Sequence, residues 1–136
     1  MNDHVSTHQA EEDARNDQIL IWVDGALKPK AQAVVSVYDS GFMLGDGVWE
    51  GVRLYNGKWT FLDEHIDRLF EAAKAIDLDI ARTKDQVIAA ILETQAANQM
   101  TTDAHARLMV TRGVKTRPFQ HPKLSQQGPT MVIIME

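Results

Sequence analysis

Arg68 stands in the stretch Glu64-His65-Ile66-Asp67-Arg68-Leu69, one step away from an apolar stripe. A guanidinium placed there could be drawn toward a partly buried anion, and its planar fork of donors suits phosphate or carboxylate. The same spacing also suits an exposed pair with Glu64 at i−4, worth about 0.2–0.5 kcal/mol. His65 reads first as a satisfied surface histidine, with a ligand as the alternative. Trp49 lies beside glycines that let a ligand approach the backbone, or it is a half-buried core residue. The segment Thr111 to Pro122 concentrates Arg112, Lys115, Arg117 and His121 in a loop longer than a turn needs. Such a basic loop is either solvated or an element that receives anionic substrates. His4 and His8 are spaced to share a metal on a helix, but no third ligand is fixed beside them. No nucleophile–base pair is recognisable from spacing.

The stretch Gly41 to Gly51, GFMLGDGVWEG, holds four glycines in eleven residues. A dinucleotide fingerprint of this kind must follow a strand and open a helix. The surroundings decide against it. The apolar run Ile19 to Val23 ends in Asp24-Gly25, a hairpin signal, and a second strand is predicted within Leu27–Val37, limited by Pro29 to an edge or an interrupted pairing. After the irregular glycine stretch, VWEGVRLYNGKWTFL reads as two strands. Val48, Glu50, Val52 and Leu54 share one face, and Asn56-Gly57 makes the turn. The glycines therefore lead into a strand. Two helices are predicted next. One carries Leu62, Ile66, Leu69, Phe70, Ala73 and Ile76 on its apolar face. The other opens with a capping box at Thr83 and Gln86 and buries Val87, Ile88, Ile91 and Leu92. AHARLMVTRG is a strand, VKTRPFQHPKLSQQG a long polar loop, and PTMVIIME a buried strand. The expected class is α+β, a small antiparallel sheet with two helices on one face.

Composition narrows the function classes. With 136 residues the chain is one ordinary domain, and residues 1–17 read as a flexible polar extension ahead of residues 18–136. Hydrophobic residues make up 44% and charged residues 24%, as in a soluble globular protein. A net charge of −5 without a dense basic run argues against a nucleic-acid partner. No apolar run approaches the roughly 20 residues of a membrane helix, and the start lacks a signal-peptide core. The absence of cysteine excludes disulfides, thiolate chemistry and cysteine zinc sites. A cytoplasmic setting is expected.

The segments IWVDG, VSVYDSGFMLGDGVWEGVRLYNGKWTFLDEHIDRLFEAAKAI and ARLMVTRG, in this order and spacing, resemble the class IV pyridoxal-phosphate aminotransferases. That family includes branched-chain and D-amino acid aminotransferases and aminodeoxychorismate lyase. The resemblance covers nearly all of residues 18–136 and is most specific from GDGVWEG to EHIDRL. It implies the smaller, N-terminal domain of a two-domain fold-type IV enzyme, working with pyridoxal 5'-phosphate as a homodimer. By the same resemblance, Arg68 matches the ligand of the cofactor phosphate, and Trp49 stands where an aromatic residue overlooks the substrate pocket. Relatives often have tyrosine or phenylalanine there. Arg107 matches an arginine of branched-chain enzymes, while His105 replaces their tyrosine. Arg117 fits the carboxylate-binding arginine of D-amino acid enzymes in a loop that reaches the partner's site. Phe119 takes the place of their histidine, with His121 nearby. This mixture leaves the amino donor and its stereochemistry open, an amine included.

The family's cofactor-linked lysine, and the glutamate facing the cofactor ring nitrogen, belong to a second domain that no lysine of this chain matches. No catalytic residue is therefore expected here, and the chain alone is expected to be inactive. The resemblance thus implies transfer of an amino group between an amino acid or amine and a 2-oxo acid. A carbon–carbon lyase on the same scaffold is the alternative. A further one is a non-catalytic, truncated domain that binds a phosphorylated ligand, or a partner through an unpaired last strand.

Overall fold

Two-residue turns set the register of the sheet. Asp24 and Gly25 adopt φ of 48° and 94°, and Asn56 and Gly57 adopt 48° and 75°. Positive φ at both positions is the type I′ geometry whose twist matches that of paired strands. In the computed structural model, which describes residues 12–136, the first turn joins strand β1 (Leu20–Val23) to β2 (Ala26–Pro29). The second joins β3 (Gly47–Tyr55) to β4 (Lys58–Trp59). With β5 (Ala104–Thr111) and β6 (Thr130–Met135) they form one antiparallel sheet in the order β2-β1-β6-β5-β3-β4. Pro29 closes an edge strand, as its missing N–H requires.

Helix α1 (Ser40–Leu44) occupies part of the glycine stretch expected to be irregular. Asp39 caps it by accepting from the Gly41 N–H at 2.8 Å, and Gly45 ends it at φ 65°. A Cβ at Gly47 would lie 2.6 Å from the Val110 carbonyl oxygen, so glycine is what lets β3 start against β5. Helix α2 (Leu62–Ala75) packs on β3, and α3 (Lys84–Asn98) packs on β1 and β6. The α+β arrangement with both long helices on one face is thus observed. Thr83 and Gln86 form both halves of the capping box. Between helices and sheet lie Ile66, Leu69, Ala73, Val87, Ile91, Leu108, Val110, Met131 and Ile133, all nearly inaccessible. Ile76 and Leu92, expected on the buried faces, are exposed instead. Ile76 is already the cap beyond α2, and α3 turns Val87, Ala90, Ile91 and Thr94 inward.

Three further expectations are corrected. The last strand is not unpaired: β6 lies between β1 and β5, and Met131, Ile133 and Met135 are fully buried. Its apolar run is that of an interior strand, so it offers no open edge to a partner. Within the predicted extension, Ala14–Asn16 form a short 3₁₀ turn. Arg15 fastens it to the carbonyls of Thr102 and Asp103, each at 2.8 Å. His4 and His8 lie outside the described residues. The long loop after β5 is also not uniformly polar and solvated. Arg112 and Lys115 turn inward, and a 3₁₀ turn forms at Pro122–Leu124.

Candidate functional site

Glu50 organises one side of the site. The β3 alternation points it to the helix face among Val48, Val52 and Leu54, and its carboxylate is 5% exposed. A carboxylate so placed must be paired. From α2, Arg68 donates through Nε to Oε1 at 2.5 Å and through Nη2 to Oε2 at 2.8 Å. His65, one turn earlier, meets Oε2 with Nδ1 at 2.8 Å. Arg68 therefore pairs with an anion from the sheet, not with Glu64. The Arg68 contact, partly opposed by burial and aided by His65, holds the Glu50 carboxyl below the usual glutamate range. Arg68 itself is 68% exposed. A guanidinium has five N–H donors, so both on Nη1 and the second on Nη2 stay free of Glu50. The arrangement is a cation anchored from below that presents three donors outward.

The opposite, open face carries the other residues. β3 and β5 pair Trp49 with Met109, Gly51 with Arg107, and Arg53 with His105, so these side chains share one surface. The Arg107 guanidinium lies over the Trp49 ring, 4.5 Å from its centroid. At an exposed site this cation–π contact is worth about 0.5–1 kcal/mol and biases both groups toward this arrangement. The His105 imidazole rests on Gly51, where a Cβ would come within 2.6 Å of Nε2. Although His105 is exposed, this contact costs it hydration. Burial, then Arg107 and Arg53, disfavours its charged form and lowers its pKa. Beside Trp49 a cleft of about 470 Å³ opens between Val35, Phe42, Met109 and Val132.

Trp49, His105 and Arg107 are thus brought together, whereas Arg68 stands on the other side of β3, joined to them through the neighbouring Glu50. Arg117 and Phe119 are exposed on the loop after β5. Among the described residues, the Arg117 side chain makes no hydrogen bond or ion pair. Arg112 is removed from the candidate set, because Asp46 and the carbonyls of Ile76 and Asp77 engage its guanidinium. Lys115 is removed too, being 2% exposed. Glu50 was missed at the sequence level, although a lone carboxylate on an apolar strand face was a visible signal. Among the described residues no cluster of His, Asp and Glu is arranged to hold a metal, and no helix is long and apolar enough to cross a membrane.

The profile of the family described as Amino-transferase class IV matches residues 47–136. Branched-chain-amino-acid aminotransferase-like protein 1 of Arabidopsis thaliana is 40% identical over 121 residues, 89% of this chain and 22% of that protein. D-alanine aminotransferase of Listeria monocytogenes serotype 4b is 42% identical over 101 residues, 74% of this chain and 34% of that protein. The crystal structure of a branched-chain aminotransferase from Thermoproteus uzoniensis with norvaline superposes with a TM-score of 0.73 at 28% identity, covering 88% of this chain and 40% of that one. The chain accordingly spans about a fifth to a third of the two curated relatives. A match that extends from the first residue of β3 through β6, on a fold shared with solved relatives, means that this chain belongs to the class IV aminotransferase family.

Proposed function

We propose that the complete protein transfers an amino group between an amino acid, or an amine, and a 2-oxo acid, using pyridoxal 5'-phosphate. Family membership supports this reaction class. The observation that carries the reading to this chain is Arg68, an exposed guanidinium braced by a buried carboxylate with three donors to spare. That donor set fits a phosphate monoester, which offers three acceptor oxygens to a planar fork. When bound, the cofactor supplies an electron sink for the substrate carbon that exchanges its nitrogen.

The residues of this chain do the holding and sorting. Arg68 fixes the phosphate end. Trp49 forms a rigid wall, kept in place by Arg107 stacked on it. Arg107 and His105 line the carboxylate side of the open face, one with a charge and the other with an imidazole whose charged form is disfavoured. Arg117 meets a substrate carboxylate from the loop. Residues 18–136 constitute the smaller domain, and the lysine that bonds the cofactor belongs to a second domain outside this chain. A cytoplasmic homodimer is part of the same reading. Val37, Phe42 and Phe119 are 67%, 74% and 60% exposed, large apolar side chains of the kind that subunits cover.

The test uses the complete, cofactor-loaded protein. Adding an amino acid should bleach the cofactor's visible band, and adding a 2-oxo acid should restore it. A band indifferent to a panel of L- and D-amino acids and simple amines refutes amino transfer. Arg68→Leu should weaken cofactor retention by about tenfold or more, the scale of a lost charge-assisted contact. Unchanged retention removes Arg68 from the phosphate site while leaving the reaction class intact.

A further inference from the structure

Lys115 is a buried cation that the proposed reaction does not use. Between Val114 and Pro129 it is the only buried residue, at 2% exposure, while residues 116–123 are all exposed. The loop folds over it. At its base, the Lys115 N–H donates to the Tyr38 carbonyl at 2.9 Å, next to the bridge between Asp39 and Val114. At its head, Nζ donates to the His121 carbonyl at 3.2 Å. The neck of the loop is closed by Thr116 N–H to the Leu124 carbonyl at 3.0 Å and by a bridge between Lys115 and Ser125. His121 also caps the 3₁₀ turn, accepting from the Lys123 N–H at Nδ1. The ammonium contact therefore spans the tip Arg117-Pro118-Phe119-Gln120 and ties its far side to a base rooted beside α1.

Burying an ammonium is unfavourable unless it is hydrogen-bonded, and an apolar residue would fill the same space without that cost. What the cation adds is direction, since it can hold one carbonyl, and with it one loop geometry. Within the tip, Phe119 N–H donates to the Arg117 carbonyl at 2.9 Å, a bond local to the tip that does not tie it to the base of the loop. We infer that Lys115 is a positioning residue that pins the loop tip and thereby aims Arg117. The inference rests on the reading that Arg117 meets a substrate carboxylate.

The experiment compares Lys115→Met, Lys115→Gln and Arg117→Ala in the complete, cofactor-loaded protein. Lys115→Met keeps the stem and removes the ammonium. Lys115→Gln keeps a neutral donor and serves if the methionine variant does not fold. Amide hydrogen exchange over residues 116–124 reads the order of the loop. Kinetics with an amino acid and with a simple amine read the aim of Arg117. Both lysine variants should speed exchange in the loop. They should raise KM for the amino acid by about tenfold, the scale of one weakened charge-assisted contact, and leave kcat and the amine parameters in place. Adding Arg117→Ala to Lys115→Met should then change KM little further.

Unchanged exchange in both lysine variants overturns the inference. So does faster exchange with an unmoved KM when Arg117→Ala alone raises KM, because the tip would then be aimed by something else. If Arg117→Ala leaves KM unmoved, the carboxylate reading of Arg117 falls. The pinning of the loop is then decided by the exchange rates alone.

Discussion

Arg112 should behave as a structural fastener although it sits in the same basic segment as Arg117. Its guanidinium donates to Asp46 at 2.7 and 3.2 Å, to the Asp77 carbonyl at 2.8 Å and to the Ile76 carbonyl at 2.7 Å. Two of these bonds engage a carboxylate. The other two close the C-terminal end of α2, where carbonyls lack helical partners and a cation is favoured. The arginine and aspartate side chains are 15% and 21% exposed, so solvent screens the pair only in part. Replacing Arg112 by methionine keeps the stem but strands Asp46 and two carbonyls. Breaking a buried pair costs about 3–5 kcal/mol, and the residual exposure places this one near about 3 kcal/mol. For a chain of 136 residues the unfolding entropy near the midpoint is about 0.3 kcal/mol/K, so the thermal midpoint should fall by about 10 °C. Differential scanning calorimetry of the wild type, Arg112→Met and Arg117→Ala supplies the comparison, with Arg117→Ala expected within about 2 °C of the wild type. A shift below about 3 °C for Arg112→Met would show that the fork is an ordinary surface pair, and the structural assignment of Arg112 would be wrong.

Glu50 gives a pH signature. Its folded pKa is depressed, chiefly by Arg68, so its contribution is complete above the ordinary glutamate value of about 4.3 and is lost as pH falls through the depressed value. Wild-type stability should therefore drop more steeply than that of Glu50→Gln once pH falls below about 4.3; parallel profiles would mean that the carboxylate gains nothing from Arg68 and His65. On the other face, His105 should titrate below about 6.5 by NMR, since burial and then Arg107 and Arg53 disfavour its charged form. Gly51→Ala should displace the imidazole, restore part of that shift and leave the fold intact, because only a side chain must move. A wild-type midpoint at or above about 6.5 contradicts the assignment.

The elements that position the site were legible because each rests on a local rule. Asp24-Gly25 and Asn56-Gly57 can take the positive φ of a type I′ turn, and both did. Thr83 and Gln86 satisfy each other across the first turn of α3. The alternation through β3 already placed Glu50 with Val48, Val52 and Leu54. What remained hidden depends on contacts distant in sequence. An apolar strand reads the same whether it ends a sheet or lies in its middle, and only pairing with β1 on one side and β5 on the other made β6 interior. Arg112, Lys115 and Arg117 are alike as letters in a basic loop. Asp46, sixty-six positions before Arg112, separates the first from the last.

The charges that turned inward obey a rule usable on sequence alone. A fully apolar strand face or loop core would be cheaper to build than one holding Glu50 or Lys115, so each calls for a partner that the local pattern does not supply. For Glu50 the partner is Arg68, and for Lys115 it is the His121 carbonyl. In both cases the buried charge is not itself placed to touch a substrate. It lies directly beneath, or two residues from, an exposed arginine proposed to do so. A lone exposed arginine samples many rotamers and loses entropy when it grips an anion, whereas one held from behind has already lost much of that freedom in folding. The buried carboxylate and the buried ammonium thus act on the same quantity, the ordering cost of an anion-binding guanidinium. Glu50 acts through the side chain it grips, and Lys115 through the backbone that carries Arg117. The two should differ accordingly: loss of Glu50 leaves the backbone of α2 in place and frees one side chain, while loss of Lys115 frees a whole loop tip. Hydrogen exchange should therefore respond to Lys115→Met and not to Glu50→Gln, even where both weaken the binding of an anion. Equal exchange responses would mean that Glu50 holds α2 itself, and its role would be that of a core residue.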